Sequence, residues 1–212
     1  MEGSMKRNFA GLLVGCGLLA GCSGPSLIDD HRSPSPTPTT AETTPGGGGT
    51  DAAAFVFDSG VLEIGDFDPY TLGDNIFDPC TEISPEEFAA AGFDNVEPLP
   101  EEYRGLARGL NSCEVSVHPA IPSEGFGNNN ANRKQVDSER GVFDQYKSEK
   151  VPGMFVYGPR SGVGTHCYAQ LDTNRGGLVS EASGFEGKNS QDEVCRAAIT
   201  NLESLYEASS HH

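Results

Sequence analysis

Six cysteines, at positions 16, 22, 80, 113, 167 and 195, constrain this chain more than any other feature. The first two lie in Leu12-Leu-Val-Gly-Cys-Gly-Leu-Leu-Ala-Gly-Cys-Ser-Gly24 and decide what the other four can do. Lys6 and Arg7 make a short positive start, and Phe9 to Ala20 is apolar or small at all 12 positions. That length suits a signal-peptide core of roughly 7 to 15 residues and falls short of the roughly 20 that span a bilayer. The stretch ends Leu19-Ala20-Gly21-Cys22 and resembles a bacterial lipobox, in which the cysteine is acylated and becomes the new N-terminus. Leu13-Val14-Gly15-Cys16 has the same short pattern, but only Phe9 to Gly15 precede it. Glycine-rich apolar sequence beside a proline-rich tract argues against a core helix. Residues 1–21 are therefore read as a lipoprotein signal peptide and Cys22 as the lipidated residue. The expected location is the cell membrane, lipid-anchored on its extracytoplasmic face.

Behind Cys22, residues 23–54 are dominated by Ser, Thr, Pro, Gly and Ala. Such a tract buries too little apolar surface to offset its ordering entropy. With Cys22 it forms a 22–54 spacer, which as a flexible coil averages roughly 30 Å end to end. Residues 55–212 remain for one globular domain, an ordinary domain size.

Charge narrows the partners. The chain has 14 Lys+Arg against 31 Asp+Glu. Without Glu2, Lys6 and Arg7 the balance is 12 against 30, a net charge of −18. That field repels a phosphate backbone, which excludes nucleic acid. Residues 51–103 hold 14 of the acids and no Lys or Arg. The run is either a solvated face or a docking surface for a basic partner or divalent cations. It is not an EF-hand: starting at Asp66, with Asp68 and Asp74 following, the fifth and sixth positions are Tyr70 and Thr71, where an oxygen ligand and glycine are needed.

In an exported domain, Cys80, Cys113, Cys167 and Cys195 read as two disulfides. No two are closer than 28 positions, which argues against zinc. Three connectivities are possible, and local structure favours 80–113 with 167–195. Ser84-Pro85-Glu86-Glu87 is a capping box with proline at the first helical position, and Gly92 stops that helix, so Cys80 lies just ahead of it. Cys113 opens Cys-Glu-Val-Ser-Val-His, whose alternation predicts a strand over 113–118. Met154 to Gly158 and the turn-rich stretch after it predict a hairpin. Residues 166–172 put Cys167, Ala169 and Leu171 on one strand face, and 178–182 predict another strand. Ser190 to Glu193 is a second capping box. It opens a helix with Val194, Cys195, Ala198, Ile199, Leu202, Leu205 and Tyr206 on one stripe.

Residues 119–135 have no periodicity and read as a polar loop. Val136 to Lys150 predicts a short helix burying Val136, Phe143 and Tyr146, with Gly141 counting against it. The expected fold class is α+β: an antiparallel sheet of about four or five strands with helices packed on one face and two disulfides.

Catalytic signals are absent. Ser161 sits in Gly-Pro-Arg-Ser-Gly-Val-Gly without the strand–turn–helix that a nucleophile elbow needs. Gly162-Val163-Gly164 precedes a strand, where a dinucleotide fingerprint precedes a helix. His31 is in the spacer, and His211 and His212 end the chain. His118 and His166 fall at polar positions of strands, and a Ser-His-Asp grouping would have to assemble in space. No catalytic residue, cofactor or metal site is expected.

The combination resembles the actinobacterial envelope-lipoprotein family catalogued as domain of unknown function 3558. The resemblance rests on Leu-Ala-Gly-Cys, the spacer, FDPCTEISPEEFAAAGF (77–93), SCEVSV (112–117), VGTHCYAQLDTNRGGLVSEA (163–182) and CRAAITNLESLY (195–206). It implies an exported lipoprotein with two disulfides and no known activity. The expected role is a non-catalytic binding or accessory domain of the cell envelope, meeting an envelope protein or a cell-wall component. The alternatives are a carrier of a small apolar ligand in a cavity between sheet and helices, and, more weakly, a hydrolytic enzyme.

Overall fold

The structure, a computed structural model, describes residues 53–100, 110–159 and 165–209. Cys16, Cys22, the spacer up to residue 52, Ser161, Gly162-Val163-Gly164, His31, His211 and His212 lie outside them. Strands β1 (Ala54–Phe57) and β2 (Gly60–Glu63) form a hairpin that starts where the spacer was expected to end. Helices α1 (Pro79–Glu82) and α2 (Pro85–Ala90) follow, then β3 (Glu97–Pro98), β4 (Ser112–Val115) and β5 (Ser123–Asn129). Next come α3 (Arg133–Glu139), β6 (Phe155–Tyr157), β7 (Thr165–Thr173), β8 (Gly176–Gly184) and α4 (Gln191–Ser209). Strands β3 to β8 make one antiparallel sheet in the order β3-β4-β5-β8-β7-β6. The fold is α+β, and its sheet has six strands where four or five were expected.

Alternation on the long strands builds the core. Cys167, Ala169 and Leu171 of β7 and Leu178, Ser180 and Ala182 of β8 point to one face and are at most 1% exposed. Val194, Cys195, Ala198 and Leu202 of α4 close over them, also at most 1% exposed. Full burial of a side chain such as Leu202 contributes about 2 kcal/mol. The helix starts as its capping box dictates: Ser190 N–H donates to Glu193 at 2.7 Å, and Glu193 N–H donates back to Ser190 Oγ at 3.2 Å.

Both disulfides bind this layer. Cys167–Cys195 joins β7 to α4 across a Cα–Cα distance of 5.0 Å, and Cys80–Cys113 joins α1 to β4 across 5.6 Å. Cys80 lies on its own one-turn helix, capped by the Asp78 side chain, rather than on the coil ahead of α2. In α2, Glu87 closes the capping box with Ser84 and also accepts the Asp58 N–H at 2.7 Å, which ties the β1–β2 turn to the helix.

Three local expectations need correction. The supposed polar loop contains β5, which lies inside the sheet between β4 and β8. Its glycines and asparagines carry no strand propensity, so neighbouring strands impose the pairing. The predicted helix after it covers only Arg133–Glu139. Gly141 ends it at φ +81°, and Phe143 and Tyr146 pack from the following coil. Strand β4 stops at Val115 because the Glu124 carboxylate takes the N–H groups of Val117 and His118 out of the ladder. The helices do not share one face either. Val136 of α3 packs with Phe155 and Tyr157 on the side opposite α4. No helix among the described residues is long and apolar enough to cross a membrane.

Candidate binding groove

Among the described residues, α3 covers only the β6–β7 end of the outer sheet face. A groove of about 490 Å³ lies beside it. Gly127, Val179, Tyr168 and Glu181 of the outer face form its floor, and Arg140 and Leu110 also line it. That volume lies in the usual range of small-ligand sites, roughly 300 to 1,000 Å³.

The tyrosine end is rigid. The rings of Tyr157 and Tyr168 stack at 5.2 Å between centroids. The Tyr157 hydroxyl donates to Gln170 Oε1 at 3.0 Å, and Asn129 Nδ2 donates to the same oxygen at 2.9 Å. Gln170 Nε2 in turn donates to Ala131 O and to Asp172 Oδ1, each at 2.9 Å. Asp172 Oδ2 accepts the Arg133 N–H at 2.8 Å, which anchors the start of α3. Burial raises the Tyr157 and Asp172 pKa values, and the hydrogen bonds to Asp172 oppose the rise.

Glu181 differs from these groups. It is half-buried on the groove floor and accepts no hydrogen bond among the described residues. Burial pushes its carboxyl above the ordinary range and Glu114 reinforces this, while His166 opposes it. Glycine at position 125 makes room for it: a Cβ there would lie 3.0 Å from Glu181 Oε1 and 2.6 Å from Cys113 O.

The residues singled out by sequence do not meet in this groove. His118 lies past the end of β4, and its Nδ1 is 2.6 Å from Glu124 Oε1. Glu124 is 2% exposed and also accepts from Asn201 of α4 at 2.9 Å, so the trio is a clasp on the helix side of the sheet. His166 is on β7, with Nδ1 2.8 Å from Ser183 Oγ on the outer side. The two histidines therefore serve opposite faces. Asp68 accepts the Tyr70 N–H in a surface turn, and no three His, Cys, Asp or Glu side chains among the described residues converge to hold a metal. Sequence reading missed Tyr168 and Glu181, although alternation placed both on the outer faces of predicted strands. What it lacked was their register with Gly125, on a strand that was not legible.

No curated protein and no solved structure matches the chain. The sequence matches one protein family over residues 17–208, and the chain belongs to that family, described as Protein of unknown function (DUF3558).

Proposed function

We propose that this protein is a non-catalytic contact domain of the bacterial cell envelope, held at the extracytoplasmic face of the cell membrane by an acylated Cys22 and binding through the groove on its outer sheet face. The observation that carries this reading is the pairing of all four cysteines among the described residues into two disulfides. Disulfides persist in oxidising compartments and are rare in the cytosol. Export of this chain requires a signal, and the apolar stretch ending in Leu-Ala-Gly-Cys supplies one. The family match takes in Cys22 and leaves out Cys16. Several acyl chains at one residue anchor firmly where one alone is marginal. The groove's lining mixes tyrosines, amides, Glu181 and Arg140 with apolar Leu99, Leu110 and Val179, a composition suited to binding.

Membrane fractionation tests the anchor. Cys22→Ala should move the protein from the membrane to the soluble fraction, with both disulfides intact. A variant that stays with the membrane contradicts the lipid anchor. In-cell photocrosslinking from position 112 or 179 should capture a neighbour that a probe at exposed Glu63 does not.

A further inference from the structure

One register row crosses all six strands of the sheet on its outer face. It runs Tyr157, Tyr168, Glu181, Gly125, Glu114, Glu97, each residue directly opposite the next. Directly opposed residues share a face, and strands lie about 4.8 Å apart. The three carboxylates therefore span roughly 14 Å, with a glycine gap between Glu114 and Glu181. Glu97 and Glu114 are exposed like charges in direct opposition, an arrangement that destabilises a sheet unless a cation answers it. Two cations, Arg133 and Arg140, lie toward the other end of the row. Arg133 lies 5.3 Å over the Phe155 ring, and Arg140 acts on Tyr157 and Tyr168. His166 is the cation-capable neighbour of Glu181, and its ring is engaged with Ser183.

We propose that the Glu97–Glu114–Glu181 row, with the groove beside it, is the docking surface for an extended basic segment of a partner polypeptide carrying Lys or Arg at alternate positions. The inference deepens the contact-domain reading above and rests on it. Charge complementarity selects the occupant: the chain has 31 acids against 14 Lys+Arg, and this row has no positive residue. Spacing selects a polypeptide. In an extended chain, three alternating side chains span about 13 Å, close to the length of the carboxylate row. A lone ammonium ion answers one carboxylate only. Leu99, Leu110 and Val179 in the groove lining offer apolar surface to the aliphatic stems of such side chains. Half-buried Glu181 faces the least water of the three acids, so a cation that reaches it gains most.

The test is calorimetric titration of the full-length protein in detergent with a blocked nonapeptide bearing three alternating lysines, at 20 mM and 200 mM salt. Binding is expected at low salt and should weaken at least fivefold at high salt. The variant E97Q/E114Q/E181Q should lose at least tenfold in affinity. The variant E63Q/D74N/E186Q removes equal charge from exposed positions off the row, and it should lose less than twofold. Equal losses in the two variants would show diffuse attraction and overturn the proposal. So would spermidine binding as tightly as the peptide, because a small amine would then suffice. Circular dichroism and thiol counting establish that each variant is folded. As a second route, Glu114→Lys, at an exposed position, should abolish peptide binding, and unchanged binding overturns the row. If the peptide fails while in-cell crosslinking from the groove still captures a neighbour, the basic partner is wrong and the contact domain stands. Failure of both removes the contact-domain reading as well.

Discussion

Glu124 and Glu181 are both drawn into the protein on neighbouring strands, yet they do opposite things. Glu124 has a partner for each oxygen: His118 and Asn201 on one, and the Val117 and His118 N–H groups on the other. A carboxylate satisfied in that way is a structural clasp. Glu181 has no donor among the described residues, and burial holds its pKa above the ordinary 4.5. Folded Glu181 therefore keeps its proton to a higher pH than unfolded Glu181. Between the two values the folded state binds more protons, so stability falls as pH rises through that window. Above the window the penalty is complete, and well below 4.5 it vanishes. Glu181→Gln should accordingly be more stable than the parent at pH 7 and indistinguishable from it near pH 3.5. Urea unfolding midpoints at the two pH values measure this. A Gln variant that is less stable at pH 7 would mean that Glu181 has a structural partner and is no poised binding group. Loss of stability at a site of use is a common pattern, since functional groups are selected for what they meet.

At the level of elements, β5 makes the groove possible and was the least legible part of the sequence. Gly125 and Gly127 keep its outer face flat. A Cβ at 127 would come 3.0 Å from Asn111 O, while one at 125 would press on a backbone carbonyl at 2.6 Å. Gly125→Ala should therefore cost about 1 to 3 kcal/mol by overpacking, although alanine is otherwise the better strand residue. Thermal unfolding measures it, and a neutral or stabilising alanine would show that β4 and β5 have slack. The same smallness that opens the groove erases the strand from the sequence, because Gly and Asn give no alternation to read. Only Glu124 and Phe126 alternate inward, and a buried Glu does not look like a core residue. By contrast α4, β7 and β8 were plain: capping box, apolar stripe and period-two pattern all agree there. The β1–β2 hairpin has a turn at Asp58-Ser59-Gly60 between apolar runs, with Gly60 at φ +137°. Its surrounding acids made it read as part of a solvated stretch. Helix α3 was half legible. Val136 is buried as expected, but the helix starts three residues earlier behind an Asn132 cap that was read as loop, Gly141 stops it before Phe143, and a seven-residue helix shows too little period to indicate which sheet face it covers.

For the molecule as a whole, the two disulfides have unequal exposure and nearly equal loops. The sequence separations are 33 and 28, so chain entropy assigns each about 3.6 kcal/mol. Against a net stability of roughly 5 to 15 kcal/mol, loss of both would leave the fold marginal. Accessibility separates them. Cys167 and Cys195 are 0% exposed between β7 and α4, whereas Cys80 on α1 is only half-buried. Thiolate exchange needs direct approach to a sulfur. A graded phosphine titration of the native protein, quenched by alkylation and mapped by mass, should therefore open Cys80–Cys113 first. The species so formed should keep α4 docked, with most of its helical signal intact. Cys167–Cys195 should yield only as the domain unfolds, because reaching it requires α4 to leave the sheet. The reverse order would mean that α4 detaches more readily than α1, and that the packed layer under it is not the most stable part of the molecule.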